Sequence, residues 1–439
     1  MNRNRTVSLC LIVKDEATFL ARALASFKEV VNEICVLDTG SSDETVAIAK
    51  SFGAKVKFFP WNDNFSEARN QNIEMATMNW IMVVNADEYL RREDIPALKQ
   101  AFMRNDCDGF AIKLFNFSRE GTPYYITHLS QRIFKNNGKF HYEGIIYEQL
   151  VGIQAPAKFE SIDVSFYHTG HLRKERTLKN KNKRNLTLLK KALDEEGLSM
   201  FNLFNLANEI SHDPERRQET LELYQQLYDE ENFDTDFAPK LIMFRLLTLI
   251  REELWDEALE AIEEGLILFP DFTDLVYQRG IIQRKKGLLL KAIHSFKMCL
   301  SMGKPRSELE FSNASYAYGP MFHLAELMKE QQYFSEAFDY YQECWLLDHM
   351  KYQLLSPIFD CLVGMKIARG EVVLTMKRFF NLRNDLNRVS YVNLLLEKEF
   401  YEEATDFLTT DGTWQAKEKQ RQLVEKALAG LNGIDAIES

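Results

Sequence analysis

Ala258 and Ala292 stand 34 positions apart, inside WDEALEAIEEGL and LLKAIHSFKMCL. Each has a bulky apolar residue four positions on, Ile262 and Phe296, which is one helical turn away. Twelve positions before each stand Leu246 and Gly280. A third copy, FSEAFDYYQECW, carries Ala337 and Tyr341, with Ala325 twelve before, and a weaker one, YEEATDFL, carries Ala404 and Leu408. A small residue where two helices cross, with a bulky neighbour one turn on, is what a stack of helical hairpins requires. From about residue 180 the chain therefore reads as an all-α repeat array. An insertion around SELEFSNASYAYGP displaces the third copy and makes the array irregular.

The first 170 residues obey another period. VSLCLIV (7–13) precedes a helix beginning near Asp15, with Phe19, Leu20, Ala23, Leu24 and Phe27 on one face. EICVLD (33–38) precedes a helix opening near Ser42, where Ser41 and Glu44 have capping-box spacing. KVKFFPW (55–61), a helix over 66–76 and the apolar strand of WIMVVNADEYL (80–90) follow. Strands alternating with helices predict an α/β domain with a mostly parallel sheet. The expected division is 1–175 for this domain, 176–200 for a basic helical linker and 201–439 for the repeats.

A chain of 439 residues, 46% hydrophobic and 27% charged, has the composition of a soluble globular protein with more than one core. Its net charge of −11 argues against nucleic acid or an anionic membrane as a general partner. The opening apolar stretch is cut off by Lys14 after seven residues, unlike a signal peptide, and no run approaches the ~20 apolar residues of a membrane span. Six cysteines without metal-type spacing, with Cys10 and Cys35 inside strands, point to buried thiols and a reducing cytoplasm.

In an open parallel sheet, ligands bind beyond the carboxyl ends of the strands. Those ends read Lys14-Asp15-Glu16, then Asp38-Thr39-Gly40-Ser41-Ser42-Asp43, then Asn85-Ala86-Asp87-Glu88. One acidic turn is most simply a solvated turn, but three on one edge point to a site. Clustered carboxylates repel unless a cation joins them, and Mg²⁺ or Mn²⁺ on one or two carboxylates completes its shell with substrate phosphates. Asp38 either starts its turn or accepts hydrogen bonds from a base or sugar. Arg69, early in the third helix, reads as a phosphate fork or as a salt-bridge partner of Asp38 or Asp87.

SLCLIVKDEATFLARALASF, VLDTGSSDETVAIA and FSEARNQNIEMATMNWIMVVNADE closely resemble family 2 glycosyltransferases over about residues 6–175. The repeats, with their 34-residue step, resemble tetratricopeptide repeats, and the combined layout is similar to the sublancin-type peptide S-glycosyltransferases, which act on bacteriocin peptides. The resemblance implies a nucleotide-sugar-binding domain of GT-A type. It implies that Lys14, Asp15, Glu16, Asp38, Arg69, Asn85 and Ala86 border the nucleotide-sugar, with Asp38 reading the base. Asn85-Ala86-Asp87 occupies the place of an Asp-x-Asp motif, so the first acid is an amide and Asp87 carries most of the metal ligation. QRIFKNNGKFHYEGIIYEQL resembles the acceptor-side segment, with Tyr147 where a histidine is usual. Glu148 is then the first choice for the base and Glu143 the second, against a structural acid paired to Arg132. FYHTGH implies His168 as a further metal ligand, His171 replacing a usual tyrosine, and the basic run 173–185 near the donor.

These features predict a metal-dependent inverting glycosyltransferase that moves a sugar from a UDP-sugar to a peptide or protein, with a cysteine thiol as the acceptor that the closer resemblance implies. The repeats would hold the acceptor or pair two copies of the chain. Three alternatives stand beside this: a scaffold with weakened chemistry, which Asn85 and Tyr147 favour; a glycosyltransferase acting on cell-surface polysaccharide; and a nucleotidyltransferase. The last wants a glycine-rich basic loop where this chain has KDEAT.

Overall fold

A computed structural model describes residues 6–117, 125–153, 157–168, 175–197, 199–211, 213–230, 237–306, 308–347, 351–411 and 417–425. The chain divides into two compact units, Met1–Ala317 and Tyr318–Ser439.

The first unit begins with β1 (Val7–Val13), α1 (Ala17–Phe27), β2 (Glu33–Asp38), α2 (Thr45–Ser51), β3 (Lys55–Phe58), α3 (Phe65–Ile73) and β4 (Trp80–Val83). Then come β5 (Glu88–Leu90), α4 (Ile95–Ala101), β6 (Gly109–Phe117), β7 (Tyr125–Lys135), β8 (Phe140–Glu143), β9 (Gln149–Gly152) and β10 (Phe159–His168). Eight strands form one sheet in the order β3-β2-β1-β4-β7-β6-β10-β5, while β8 and β9 form a separate hairpin. β3, β2, β1 and β4 run parallel, as does the β6–β10 pair. The β4–β7, β6–β7 and β5–β10 pairings are antiparallel. Leu9, Leu11 and Val13 point to the face covered by Leu20, Leu24 and Phe27 of α1, Ala49 of α2 and Leu98 of α4. Cys10, Cys35, Ile81 and Val83 point to the other face, under Ile73 of α3 and Phe140 and Tyr142 of the hairpin. This double covering is why β1, β2 and β4 read as continuous apolar runs.

The same unit continues as α5 (Glu175–Glu196), α6 (Met200–Ile210), α7 (Arg217–Glu230), α8 (Ala238–Arg251), α9 (Trp255–Leu268), α10 (Thr273–Lys285) and α11 (Leu289–Met302). The second unit holds α12 (Tyr318–Glu330), α13 (Phe334–Leu346), α14 (Lys351–Gly364), α15 (Arg369–Lys377), α16 (Asp385–Glu397) and α17 (Tyr401–Thr410). Ala258, Ala292, Ala325, Ala337 and Ala404 are fully buried, as are Ile262, Phe296 and Tyr341. Packing at Gly280 shows why a small residue is needed there: a Cβ would lie 2.7 Å from the Phe296 ring. The backbone repeats as well. Glu253, Gly287, Gln332, Lys366 and Glu399 each take a positive φ two residues after a helix end, in steps of 34, 45, 34 and 33. The 45-residue step contains the insertion.

That insertion docks on the sheet of its own unit. Thr127 N–H on β7 donates to the Phe311 carbonyl at 2.9 Å. Lys113 on β6 pairs with buried Glu310 at 2.5 Å. All six cysteines are buried free thiols. Among the described residues, no helix is long and apolar enough to cross a membrane.

Candidate functional site

The carboxyl ends of β1, β2 and β4 deliver polar side chains to one edge of the sheet. After β1 the chain turns at Asp15, held at a φ of 53°. The Asp15 carboxylate accepts from Ser42 N–H at 2.7 Å and from Ser42 Oγ at 3.1 Å, while Asp15 N–H donates to Ser41 Oγ at 3.0 Å. Glu16 N–H donates to Thr45 Oγ1 at 2.7 Å and Ala17 N–H to Asp43 Oδ2 at 3.1 Å. The expected capping box at Ser41 and Glu44 is therefore not formed: α2 has no side-chain cap. Ser41, Asp43 and Thr45 instead satisfy amides at the start of α1, which no helical carbonyl can reach. Asp38 is buried, and its carboxylate accepts from Gly40 N–H at 3.3 Å and Ser41 N–H at 3.2 Å. Gly40 has a φ of 105°, open to glycine and hardly to other residues. Lys14 is exposed.

The other flank is built of side chains facing side chains. Asn64 caps α3 by accepting from Glu67 N–H at 3.0 Å, which fixes the helix that carries Arg69. Arg69 is only 7% exposed. Its Nε donates to Glu148 Oε1 at 3.0 Å and its Nη2 to Asn85 Oδ1 at 2.9 Å. Burial works against this guanidinium's charge, but Glu148, Tyr142 and Glu88 outweigh it and hold its pKa above the usual value. Its Nη1 is buried without a hydrogen-bond partner among the described residues. Its ion-pair partner is Glu148, not the expected Asp38 or Asp87.

Asn85 shows why an amide stands in this loop. It accepts from Arg69 while its Nδ2 donates to Glu88 Oε1 at 2.9 Å, and its N–H donates to Glu88 Oε2 at 2.9 Å. An aspartate at this position could not donate to Glu88 and would add a like charge beside it. Glu88, 1% exposed, is also paired with Arg132 at 3.1 Å. Arg132 thus serves Glu88 and not Glu148.

Antiparallel pairing of β5 with β10 puts His168 opposite Glu88, and pairing of β10 with β6 puts it opposite Asn116. His168 Nε2 lies 3.3 Å from Asp87 Oδ2, and its Nδ1 lies 2.7 Å from Asn116 Oδ1. An Nδ1–H donated to that amide oxygen directs the Nε2 lone pair at the Asp87 carboxylate. Two acceptors in that position need a cation between them, either a proton or a metal. A histidine whose second nitrogen is anchored by an oxygen acceptor is the usual arrangement of a metal-ligating imidazole. Among the described residues, no three His, Cys, Asp or Glu side chains converge as a complete metal cage. Two ligands suffice for a hard divalent cation whose shell is completed by a diphosphate, so the donor set fits one.

Two of the other expected residues separate. Ala86 is buried beside this group. Glu143 is exposed on β8, is partnered by His141 Nε2 at 2.7 Å, and is not brought to Arg69. His171 lies outside the described residues, and in the basic run the side chains are described from Lys181 onward. Asn116 escaped sequence reading. Its signal was faint: a polar residue in an apolar strand, KLFNF, whose partner lies 52 residues on.

The comparisons bear on the sheet domain. The model of glycosyl transferase family 2 matches residues 8–165. The chain is similar to a TPR repeat-containing protein of Synechococcus elongatus, at 43% identity over 31% of this chain and 33% of that one. It is also similar to the SPbeta prophage-derived glycosyltransferase SunS of Bacillus subtilis, at 28% identity over 63% of this chain and 64% of that one. An uncharacterized glycosyltransferase of Rickettsia conorii matches at 33% identity over 27% of this chain and 44% of its own. The chain thus spans between a third and just under two thirds of the length of these relatives. Residues 8–165 thus match glycosyl transferase family 2, and helical hairpins that repeat in steps near 34 residues follow in the same chain.

Proposed function

We propose that this protein moves a sugar from a nucleotide-sugar, UDP-linked, to a peptide or protein acceptor, with inversion at the anomeric carbon. The observation that carries the reading is the pairing of Asp87 with an anchored His168, together with the buried Arg69, whose Nη1 has no hydrogen-bond partner among the described residues. Asp87 and His168 would hold Mg²⁺ or Mn²⁺, and a bound cation neutralises the charge that grows on the diphosphate as its bond to the sugar breaks. Arg69 Nη1 donates to a diphosphate oxygen, which gives that buried donor its missing partner. Lys14, Asp15, Glu16 and Asp38 border the nucleotide, and Asn85 and Ala86 lie under the sugar side.

Glu148 takes the proton from the acceptor as the acceptor's oxygen or sulfur attacks the anomeric carbon and the nucleoside diphosphate departs. Its contact with Arg69 supports this role, because nucleotide binding that draws Arg69 toward phosphate frees a carboxylate oxygen. Stacked helical hairpins form extended surfaces, which supports a polypeptide acceptor; a cysteine thiol follows from the likeness to the peptide S-glycosyltransferases.

The test is a panel of UDP- and GDP-sugars assayed for hydrolysis with Mn²⁺ and with EDTA, followed by mass spectrometry of candidate acceptor peptides. Metal-dependent release of the nucleoside diphosphate, lost in Asp87→Ala, is the expected result. No turnover with any donor would leave a scaffold built on the repeats, and release of inorganic diphosphate when a nucleoside triphosphate and a sugar phosphate are supplied would indicate nucleotidyl transfer.

A further inference from the structure

The five residues Gly144–Glu148 join β8 to β9, and two of them take a positive φ: Gly144 at 97° and Tyr147 at 57°. A tyrosine in that region is disfavoured and persists only where its surroundings fix it. Here they are helices outside the sheet. The Tyr147 hydroxyl donates to Glu209 Oε1 on α6. Asn185 Nδ2 on α5 donates to the same oxygen at 2.8 Å and lies 3.4 Å from the phenol oxygen. Ile145 N–H donates to Glu196 Oε1, at the end of α5, at 2.9 Å. Ile145 and Ile146 are buried against Leu188, Leu189 and Ala192 of α5. On the sheet side, Phe65 N–H at the start of α3 donates to the Ile145 carbonyl at 2.9 Å. Burial, and then the charge and hydrogen bond of Glu209, push the phenol's pKa well above its ordinary value, so the hydroxyl stays a donor.

Neighbouring residues in this loop point opposite ways: Tyr147 into the helices, Glu148 onto Arg69 at 3.0 Å. We infer that Tyr147, Asn185 and Glu209 are positioning residues, and that α5 and α6 aim the Glu148 carboxylate by locking the strained backbone at Tyr147. This rests on Glu148 being the base of the proposed reaction. It assigns the first helices after the sheet to the catalytic apparatus. The resemblance gave Tyr147 only as a departure from histidine; the geometry gives it a reason, since a phenol reaches a carboxylate on α6 as an obligate donor.

The experiment uses the full chain with Tyr147→Phe, Glu209→Ala and Glu209→Gln. Amide hydrogen exchange over residues 144–150 is compared with that of β1 and β4, and the donor panel above is assayed at saturating Mn²⁺. Tyr147→Phe and Glu209→Ala are expected to speed exchange in 144–150 by about tenfold or more while the strands stay protected. They should lower kcat by roughly 10- to 100-fold, as expected of a misaimed group, with KM for the donor within about twofold. Glu209→Gln keeps an oxygen that accepts both hydrogen bonds, so it should stay within about threefold of the parent on both readouts. Unchanged exchange in Tyr147→Phe overturns the inference, and so does unchanged kcat in a parent that turns over. A parent inactive on every donor sinks the transferase reading itself, and this inference with it.

Discussion

The two flanks of the strand-end edge are built on different rules. Between β1 and β2, Asp15, Asp38 and Asp43 bind backbone N–H groups and hydroxyls of neighbouring turns. Between β4 and β10, Asp87, Glu88 and Glu148 face His168, Arg132 and Arg69. Backbone amides cannot leave, so the first flank is a finished scaffold with its shape set by the loops. Side-chain charges can exchange partners, so the second flank is held by contacts that a diphosphate and a cation are able to replace. Acidic residues look alike in a sequence; what they bind separates framework from chemistry.

Asp87→Ala tests the second flank most severely. Turnover in the donor panel should fall by roughly 10²–10³-fold, with the fold retained by circular dichroism. Equal loss of structure would make Asp87 part of the framework and erase the contrast. Asn85→Asp puts a like charge at 2.9 Å from Glu88. Urea denaturation should show a loss of about 1–3 kcal/mol, which restoring the familiar Asp-x-Asp pattern does not repay. An undiminished stability would mean that Arg69 alone governs this position.

On the first flank, Asp38→Ala removes an acceptor from two turn amides and should cost about 1–2 kcal/mol in the same assay. Backbone capping by an acid recurs outside this flank, at Asp274 of α10. It accepts from Phe311 N–H at 3.4 Å and Ser312 N–H at 2.9 Å, and burial raises its pKa to about 7. In the unfolded chain it ionises near its ordinary value of 3.8. The folded state therefore binds the extra proton between about pH 4 and 7, and its stability contribution fades as pH rises through about 7. Asp274→Asn should flatten that slope in urea titrations at several pH values. Glu33 has the opposite sign: burial pulls its pKa up, but Lys55, Ser8 and Thr77 hold it down to about 2. Its contribution is present above about pH 4.5 and is lost only as pH falls through about 2. An Asp274→Asn slope identical to that of the parent would detach backbone capping from pH sensitivity.

Much of the fold was legible because local periods repeat. Alternation of apolar runs and amphipathic helices predicted the sheet, and the Ala258–Ala292 step predicted hairpins in which those alanines are buried. The antiparallel half was harder to read. β6 and β7 pair from Gly109 to Phe117 with a register shift between Phe110 and Ala111, and the seven residues between them, SREGTPY, do not spell a two-residue turn. The insertion after α11 read only as an interruption, yet Glu310 and Phe311 hold it to β6 and β7. Of the candidate site, Arg69, Asn85, Asp87, Glu148 and His168 were named from sequence. Glu143, the second choice for the base, faces solvent beside His141.

Sequence alone determined which residues could carry charge to the strand ends and where the repeats recur, because both follow from local chemistry and spacing. Partners were decided by the tertiary structure. Arg69 meets Glu148 across 79 residues, and Tyr147 meets Glu209 across 62, through contacts that only the folded backbone brings into range. A carboxylate's role depends on what stands within about 3 Å of it, and no local pattern in the chain encodes a neighbour that far away.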